Sequence, residues 1–318
     1  MSLSAVVLAA GEGKRLKTAR AKVLHEAGGV ALIDHVLAAL EPLRPHRTVI
    51  VVGHLREQVE EHLATRGVVF AVQDPPRGTG DAVRRALPLL PDTGEVLVLS
   101  GDVPLVTPET LTALVELRRS RDAAGALVTA VVGDAGSYGR VLRSATGDVA
   151  AIVEAKDAGE DRRAIREVNA GTYVFELAAL RPALAELKPD NAQGEYYLTD
   201  AVASITAHRL RVVGLALAEV SEMAGVNSRA DLADVHRLLN MRVVRRLEES
   251  GVTVLDPATT WVDADCRLER DVVLEPGVHL RGGCILGERC RVGAGSVLDG
   301  VVLPADTAVP PLTFRRAG

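Results

Sequence analysis

The chain has 318 residues, 47% hydrophobic and 25% charged, which supplies enough apolar material for two cored domains and excludes a disordered or fibrous protein. Its 37 Lys and Arg against 42 Asp and Glu give a net charge of −5, which argues against the basic surface of a nucleic-acid or anionic-membrane binder. Aromatics are only 3%, so a base would be read by backbone and amide groups rather than by stacking, and the three cysteines (Cys266, Cys284, Cys290) lack the count and spacing of a disulfide framework or zinc site.

The first element is an apolar run, Leu3 to Ala10, that reads as a buried strand. It ends in Gly-Glu-Gly, is too short for a secretory signal, and no run in the chain reaches the ~18 apolar residues of a membrane span. The expected setting is cytoplasmic. Gly11-Glu12-Gly13 forms a turn, followed by Lys14, Arg15, Lys17, Arg20 and Lys22. Glycines that expose backbone N–H groups, with cations behind them, suit a phosphate chain. Two phosphate loops fail on spacing: no Lys-Ser/Thr pair follows the glycines at the Walker interval, and Leu16 occupies the third glycine of G-x-G-x-x-G. From this stretch alone, an ordinary strand-to-helix turn with a solvated basic face serves equally well.

Downstream, helical and strand-like patterns alternate: a helix over Val30 to Leu43, a strand Thr48–Val52, a helix Glu57 to Thr65, a strand Val68–Val72, a helix Asp81 to Leu90 and the central strand Glu95–Leu99. This predicts a parallel α/β sheet in which the loops after Ala10, Val52, Val72 and Ser100 line one crevice. Ala126–Val132 and Gly171–Phe175 are expected as antiparallel additions. Ser228 to Ser250 reads as one long helix, capped by Ser228 and ended by Gly251. Beyond it, aliphatic residues recur every six positions at Val262, Leu268, Leu274, Leu280, Leu286, Val292 and Leu298. The positions four further on (Cys266, Val272, Val278, Cys284, Cys290, Ser296, Val302) are all small or apolar. This is a hexapeptide-repeat β-helix, and it uses the cysteines as inert packing. The expected domains are 1–227, a linker helix over 228–251, and the repeat over 252–318.

Two groups could carry chemistry. Gly101-Asp102-Val103-Pro104-Leu105 puts a carboxylate at the end of the central strand. That position suits Mg²⁺, which takes one or two carboxylates plus phosphate oxygens, but it equally suits a turn or helix cap. Gln73, with Arg77-Gly78-Thr79-Gly80, offers an amide that can pair with a pyrimidine edge and glycines that let backbone approach a flat base.

Leu8-Ala9-Ala10-Gly11-Glu12-Gly13-Lys14-Arg15-Leu16, followed by Lys22-Val23-Leu24-His25, resembles the sugar-1-phosphate nucleotidyltransferases, and within them the bacterial N-acetylglucosamine-1-phosphate uridyltransferases. Further matches follow in order: the Gln73 and Gly78-Thr79 group, Gly101-Asp102-Val103-Pro104-Leu105, Tyr138-Gly139-Arg140, Ile152-Val153-Glu154-Ala155-Lys156-Asp157, Glu167-Val168-Asn169-Ala170-Gly171, the loop Asn191 to Asp200, and Gly225-Val226-Asn227-Ser228-Arg229. The resemblance implies a Rossmann-like domain with a mixed, mostly parallel sheet, then a linker helix and a short left-handed β-helix. It implies Mg²⁺-dependent transfer of a uridylyl group from UTP to N-acetylglucosamine-1-phosphate. Arg15 and Lys22 would be catalytic, and Asp102 and Asn227 would hold Mg²⁺. Gln73, Gly78 and the backbone at Ala9, Ala10 and Gly11 would read uracil. Thr79, Gly139, Glu154 and Asn169 would face the sugar, and Leu8, Ser100 and Gly101 complete the substrate-binding set. Three positions depart from the pattern: Lys14 stands where Thr or Ser is usual, Asp81 stands where histidine is often found, and Ala21 replaces a Pro, which is expected to loosen the segment before Lys22.

The resembled enzymes also acetylate glucosamine-1-phosphate on a much longer β-helix. Here about seven hexads precede Pro310-Pro311-Leu312, so the acetyltransferase is expected to be absent and the repeat to serve stability or trimer formation. His279 is expected at a corner or surface. The rival readings are a nucleotidyltransferase for glucose-1-phosphate or dTTP, a hexapeptide acyltransferase with an accessory first domain, and a silent scaffold subunit.

Overall fold

The structure, a computed structural model, describes residues 2–317 and divides the chain into two compact units. The first comprises residues 1–25 and 32–228, the second residues 26–31 and 229–318. In chain order the elements are β1 (Leu3–Ala9), a hairpin of β2 (Glu26–Ala27) and β3 (Val30–Ala31), α1 (Leu32–Leu40), β4 (Arg47–Val52), α2 (Arg56–His62), β5 (Val69–Val72), α3 (Thr79–Ala86), β6 (Glu95–Ser100), α4 (Pro108–Ser120), β7 (Gly125–Val131), β8 (Arg140–Arg143), β9 (Val149–Val153), α5 (Glu160–Arg163), β10 (Glu167–Glu176), α6 (Leu177–Glu186), α7 (Leu198–Ala207), β11 (Val212–Ala216) and α8 (Arg229–Glu249). No helix among the described residues is long and apolar enough to cross a membrane.

The first unit is built on a nine-stranded sheet whose main path runs β11-β7-β10-β6-β1-β4-β5. β1 is flanked by β6 and β4, both parallel to it, and Leu3 to Val7 are buried, which is why its sequence is a continuous apolar run. Leu8 pairs with Ser100, Ala9 with Val52, and Val52 with Val72, so four carboxyl ends finish level at one edge of the sheet. β10 runs antiparallel to both β6 and β7. The expectation for the later strands is thus corrected for β7: it runs with the central strands and is antiparallel only in its pairing to β10, while β11 lies parallel to it. β10 shifts register between Asn169, still paired with Thr129, and Tyr173, paired with Leu127, and Gly171 takes φ +77° within the break.

In the second unit the hexads form three parallel ladders, with Leu274, Leu280 and Leu286 in the sealed interior. α8 packs Val243, Val244 and Leu247 into the same core. Asn240, on α8, donates to the Thr260 carbonyl (2.8 Å) and accepts from the Val262 N–H (2.9 Å), which satisfies the open edge of the first coil. All three cysteines are buried in the prism. His279 lies half-buried on a strand of one face, between Trp261 and Val297, rather than at a corner.

One hexad assignment is overturned. Val302 is 65% exposed, and its place in the core is taken by Val301. Ile285 pairs with Val302 and Leu286 with Leu303, so this coil is one residue shorter than the eighteen-residue step that pairs Arg267 with Ile285. The tight turn at Gly300 (φ +66°) absorbs the deletion.

Candidate active site

The level carboxyl ends of β1, β5 and β6 open onto a cavity of about 300 Å³. Leu8, Ala9, Ala10, Gly11, Lys22, Gln73, Gly78, Thr79, Ser100 and Asp102 all line it, with Val23, Pro76, Ala82 and Glu195. Main-chain bonds set the rim: the Gly101 N–H donates to the Leu8 carbonyl (2.9 Å) and the Gln73 N–H to the Val52 carbonyl (2.8 Å). Gly101 is buried beneath the lining.

Lys22 is the junction of the site. Its Nζ lies 2.5 Å from Asp102 Oδ2 and donates to Asn227 Oδ1 at 2.7 Å. Asp102 and Asn227 stand 125 positions apart in the chain, yet their oxygens converge on one cation. The convergence is held from the backbone, because the Val226 N–H donates to the Asp102 carbonyl (2.9 Å). Among the described residues no three His, Cys, Asp or Glu side chains cluster as a self-sufficient metal site. One carboxylate and one amide oxygen that already share an ammonium do fit Mg²⁺, which takes its remaining oxygens from phosphates and water.

The glycine loop supports Lys22 directly. Gly13 is left-handed (φ +61°), and a Cβ there would stand 3.1 Å from Lys22 Cβ. Lys14 is drawn into an exposed ion pair with Glu12 (2.6 Å), which holds Glu12 below its ordinary range through the hydrogen bond and charge of Lys14. At Ala21, where loosening is expected, hydrogen bonds to one side chain hold the segment. The Ala21 N–H, which proline would lack, donates to Gln58 Oε1 (2.8 Å), and Gln58 Nε2 donates to the Ala19 carbonyl (2.9 Å). A side chain on α2 thus clamps the segment before Lys22. Arg15 sits on an exposed 3₁₀ turn and does not line the cavity.

On one side of the cavity, Gln73 is only 4% exposed, and Gly78 adopts φ +99° against the loop of Asn191 to Asp200. A Cβ on Gly78 would meet the Tyr196 carbonyl oxygen at 2.6 Å. The two segments are tied by Tyr196 N–H to Arg77 O (2.8 Å), Gly80 N–H to Tyr196 O (2.7 Å), and Leu198 N–H to Thr79 Oγ1 (3.1 Å). Thr79 Oγ1 therefore accepts at the first residue of α7.

Gly139, Glu154 and Asn169 form a second group outside the cavity lining. A Cβ on Gly139 would lie 3.4 Å from Glu154 Oε1, and the Asn169 N–H donates to the Gly139 carbonyl (2.9 Å). Asn169 Nδ2 donates to the Tyr173 hydroxyl (2.6 Å), and Thr199 donates to Glu154 Oε1 (3.0 Å). Burial raises the Glu154 carboxyl above its usual range, Thr199 offsets part of this, and the charges of Asp200 and Asp157 raise it further. Gly171 links the groups, since a Cβ on it would be 3.9 Å from Ser100 Oγ. Gln58 carries no motif and is missed by the sequence; Thr199 and Asp81 lie within matched motifs, Asp81 as a departure from its own, but their bonds to Glu154 and Gln73 are not legible there.

Residues 5–203 match the family described as MobA-like NTP transferase domain, and residues 265–300 match the bacterial transferase hexapeptide (six repeats). The chain is 45% identical over 319 residues to the "Bifunctional protein GlmU" of Thermobifida fusca, covering 98% of this chain and 66% of that protein. It is 43% identical to the protein of that name from Streptomyces avermitilis (98% and 69%) and 41% to that of a Synechococcus species (99% and 69%). It spans about two thirds of the length of these relatives. With an NTP transferase domain and a hexapeptide repeat matched in that order, and an alignment running through almost every residue present, the chain belongs to the GlmU family.

Proposed function

We propose that the chain transfers a uridylyl group from UTP to N-acetylglucosamine-1-phosphate, giving UDP-N-acetylglucosamine and pyrophosphate. The observation that carries this reading is the convergence of Asp102 and Asn227 on one cationic nitrogen at a cavity walled by glycine-bearing backbone. A sugar phosphate is already ionised at neutral pH, so its oxygen attacks the α-phosphorus in line without a general base, and catalysis is positioning plus charge neutralisation. Mg²⁺ bound by Asp102 and Asn227 would supply neutralisation of phosphate charge. Lys22 carries a second positive charge on the same spot and follows the reacting oxygens. Arg15, free on its exposed turn, closes over the departing pyrophosphate. Gln73, Gly78 and the backbone at Ala9 to Gly11 hold the base. Gly139, Glu154 and Asn169 receive the sugar, with Glu154 accepting a hydroxyl and Gly139 close to the acetamido group.

The setting we assign is cytoplasmic, with the repeat forming a homotrimer. No acetyl transfer is proposed for residues 252–318. The test measures pyrophosphate release across UTP, dTTP and CTP with N-acetylglucosamine-1-phosphate, glucose-1-phosphate and mannose-1-phosphate, each with and without Mg²⁺. UTP with the N-acetylated sugar should dominate and should require the ion. Faster turnover of glucose-1-phosphate would move the substrate assignment, and no release from any pair would remove the enzymatic reading.

A further inference from the structure

Gln73 sits directly after β5 with its side chain almost fully buried, and both hydrogens of its amide are already used. Nε2 donates to the Gly78 carbonyl at 2.9 Å and to Asp81 Oδ2 at 3.0 Å. A backbone carbonyl accepts only, and a carboxylate oxygen does the same, so the two partners together fix which end of the amide faces them. Reversing the amide would put its oxygen against two other oxygens. What remains for a ligand is Oε1, which has no protein partner among the described residues and retains solvent access at the cavity that Gln73 lines. Asp81 is itself 4% exposed, in the first turn of α3, and its other oxygen lies 3.6 Å from Arg85 Nε one turn on. The nearly buried carboxylate thus divides its two oxygens, one holding the Gln73 amide and the other facing the half-exposed Arg85.

We infer that Asp81 is a positioning residue for base selection: it locks Gln73 as a pure acceptor, so that the site takes pyrimidines with an N3–H donor and rejects those with an N3 lone pair. Uracil and thymine share that donor. Cytosine presents an acceptor at N3 and would leave two oxygen or nitrogen lone pairs facing one another in a nearly dry site, a mismatch of the kind that polar sites discriminate most strongly. The inference deepens the proposed function by giving the base specificity to a residue that never touches the nucleotide.

The experiment titrates the wild-type chain with UTP, CTP and N3-methyl-UTP in the presence of Mg²⁺, then compares Asp81→Ala and Asp81→Asn by binding and by kcat and KM. Wild type should bind UTP at least on the order of tenfold more tightly than CTP or the N3-methyl analogue, the scale of one hydrogen bond in a buried site. Asp81→Ala lets the amide turn, so the UTP-to-CTP ratio should drop by on the order of tenfold, through KM and not kcat. Asp81→Asn keeps an acceptor and should recover most of the ratio. Equal binding of UTP and N3-methyl-UTP by wild type overturns the inference even if neither variant folds. A ratio unchanged in Asp81→Ala, or a uniform loss for all nucleotides, does so too. Selective binding of UTP without pyrophosphate release would instead sink the proposed reaction while leaving the base selection standing.

Discussion

Exchanging Lys22 for methionine keeps the aliphatic stem that packs on Gly13 and deletes only the charge. Asp102 then loses the ammonium at 2.5 Å, and Asn227 loses its donor at 2.7 Å. A fully buried carboxylate stripped of its partner costs about 3–5 kcal/mol, but the Asp102 side chain is 19% exposed and Lys22 13%. Solvent screening reduces the expected loss to about 1–2 kcal/mol, or a fall of roughly 4 °C in melting temperature. Turnover should fall far more, by on the order of 10²–10³ in kcat, because a charge aimed at the reacting phosphate is gone. The distinguishing measurement is thermal melting without nucleotide, with and without Mn²⁺ or Mg²⁺. In wild type a divalent ion must displace the ammonium from both oxygens; in Lys22→Met that ammonium no longer competes for them. The ion should therefore stabilise the variant more than the wild type, and return most of what the substitution removed. If kcat stays within a few-fold of wild type, or if the ion shifts both proteins equally, Lys22 does not occupy the place argued for it.

Glu154→Gln gives a pH test. The carboxyl is raised above its usual range, so the folded state holds its proton more tightly than the unfolded chain, and stability falls as pH climbs from the ordinary carboxyl value to that raised value and stays lowered above it. The variant should melt with wild type at pH 4 and above it at pH 8, while its KM for the sugar phosphate rises on the order of tenfold at pH 8 for want of an anionic acceptor; equal melting at both values would refute the burial argument. Gly78→Ala, which forces a Cβ to 2.6 Å from the Tyr196 carbonyl, should lower kcat/KM by on the order of 10²-fold through displacement of the nucleotide-facing turn. In the repeat, Val301→Asp should cost about 3 kcal/mol or more and Val302→Asp within about 0.5 kcal/mol, read as urea midpoints of the second unit; the reverse order would restore the unbroken six-residue period.

What could be read in advance followed from where the information sits along the chain. Ala10 and Gly101 follow buried strands and Gln73 follows the apolar edge strand β5, so an apolar run and a topological rule suffice to bring them to one edge. The ladder of Leu274, Leu280 and Leu286 was equally legible, because a narrow prism admits one side-chain size at each sixth position. The slip at Gly300 was not, since Val301, Val302 and Leu303 are all aliphatic and any of them satisfies the pattern. The hairpin at 26–31 has two-residue strands, too short to show a period, and its place in the second unit has no local signature. Gln58 acts through two side-chain bonds across 37 and 39 positions and Asp81 through one across 8, and nothing in either residue's neighbourhood marks it as a clamp.

Those two unmarked residues explain how the site can be built before any substrate arrives. Gln58 fixes the approach to Lys22, Asp81 fixes the face of Gln73, and the Val226 N–H fixes the approach to Asn227. Each acts on the group next to the ligand rather than on the ligand, and each is satisfied within the protein. The residues that would meet substrate are thereby left with one unspent capability apiece: an acceptor on Gln73, a charge on Lys22 that is lent to Asp102 and Asn227. Chemistry that relies on positioning rather than on a base needs this division, because a group that had to find its orientation during the reaction would return the entropy that binding had removed. Substitutions at the supporting residues should therefore blur selectivity and alignment, whereas substitutions at Lys22 or Asp102 should lower turnover itself by on the order of 10²–10³.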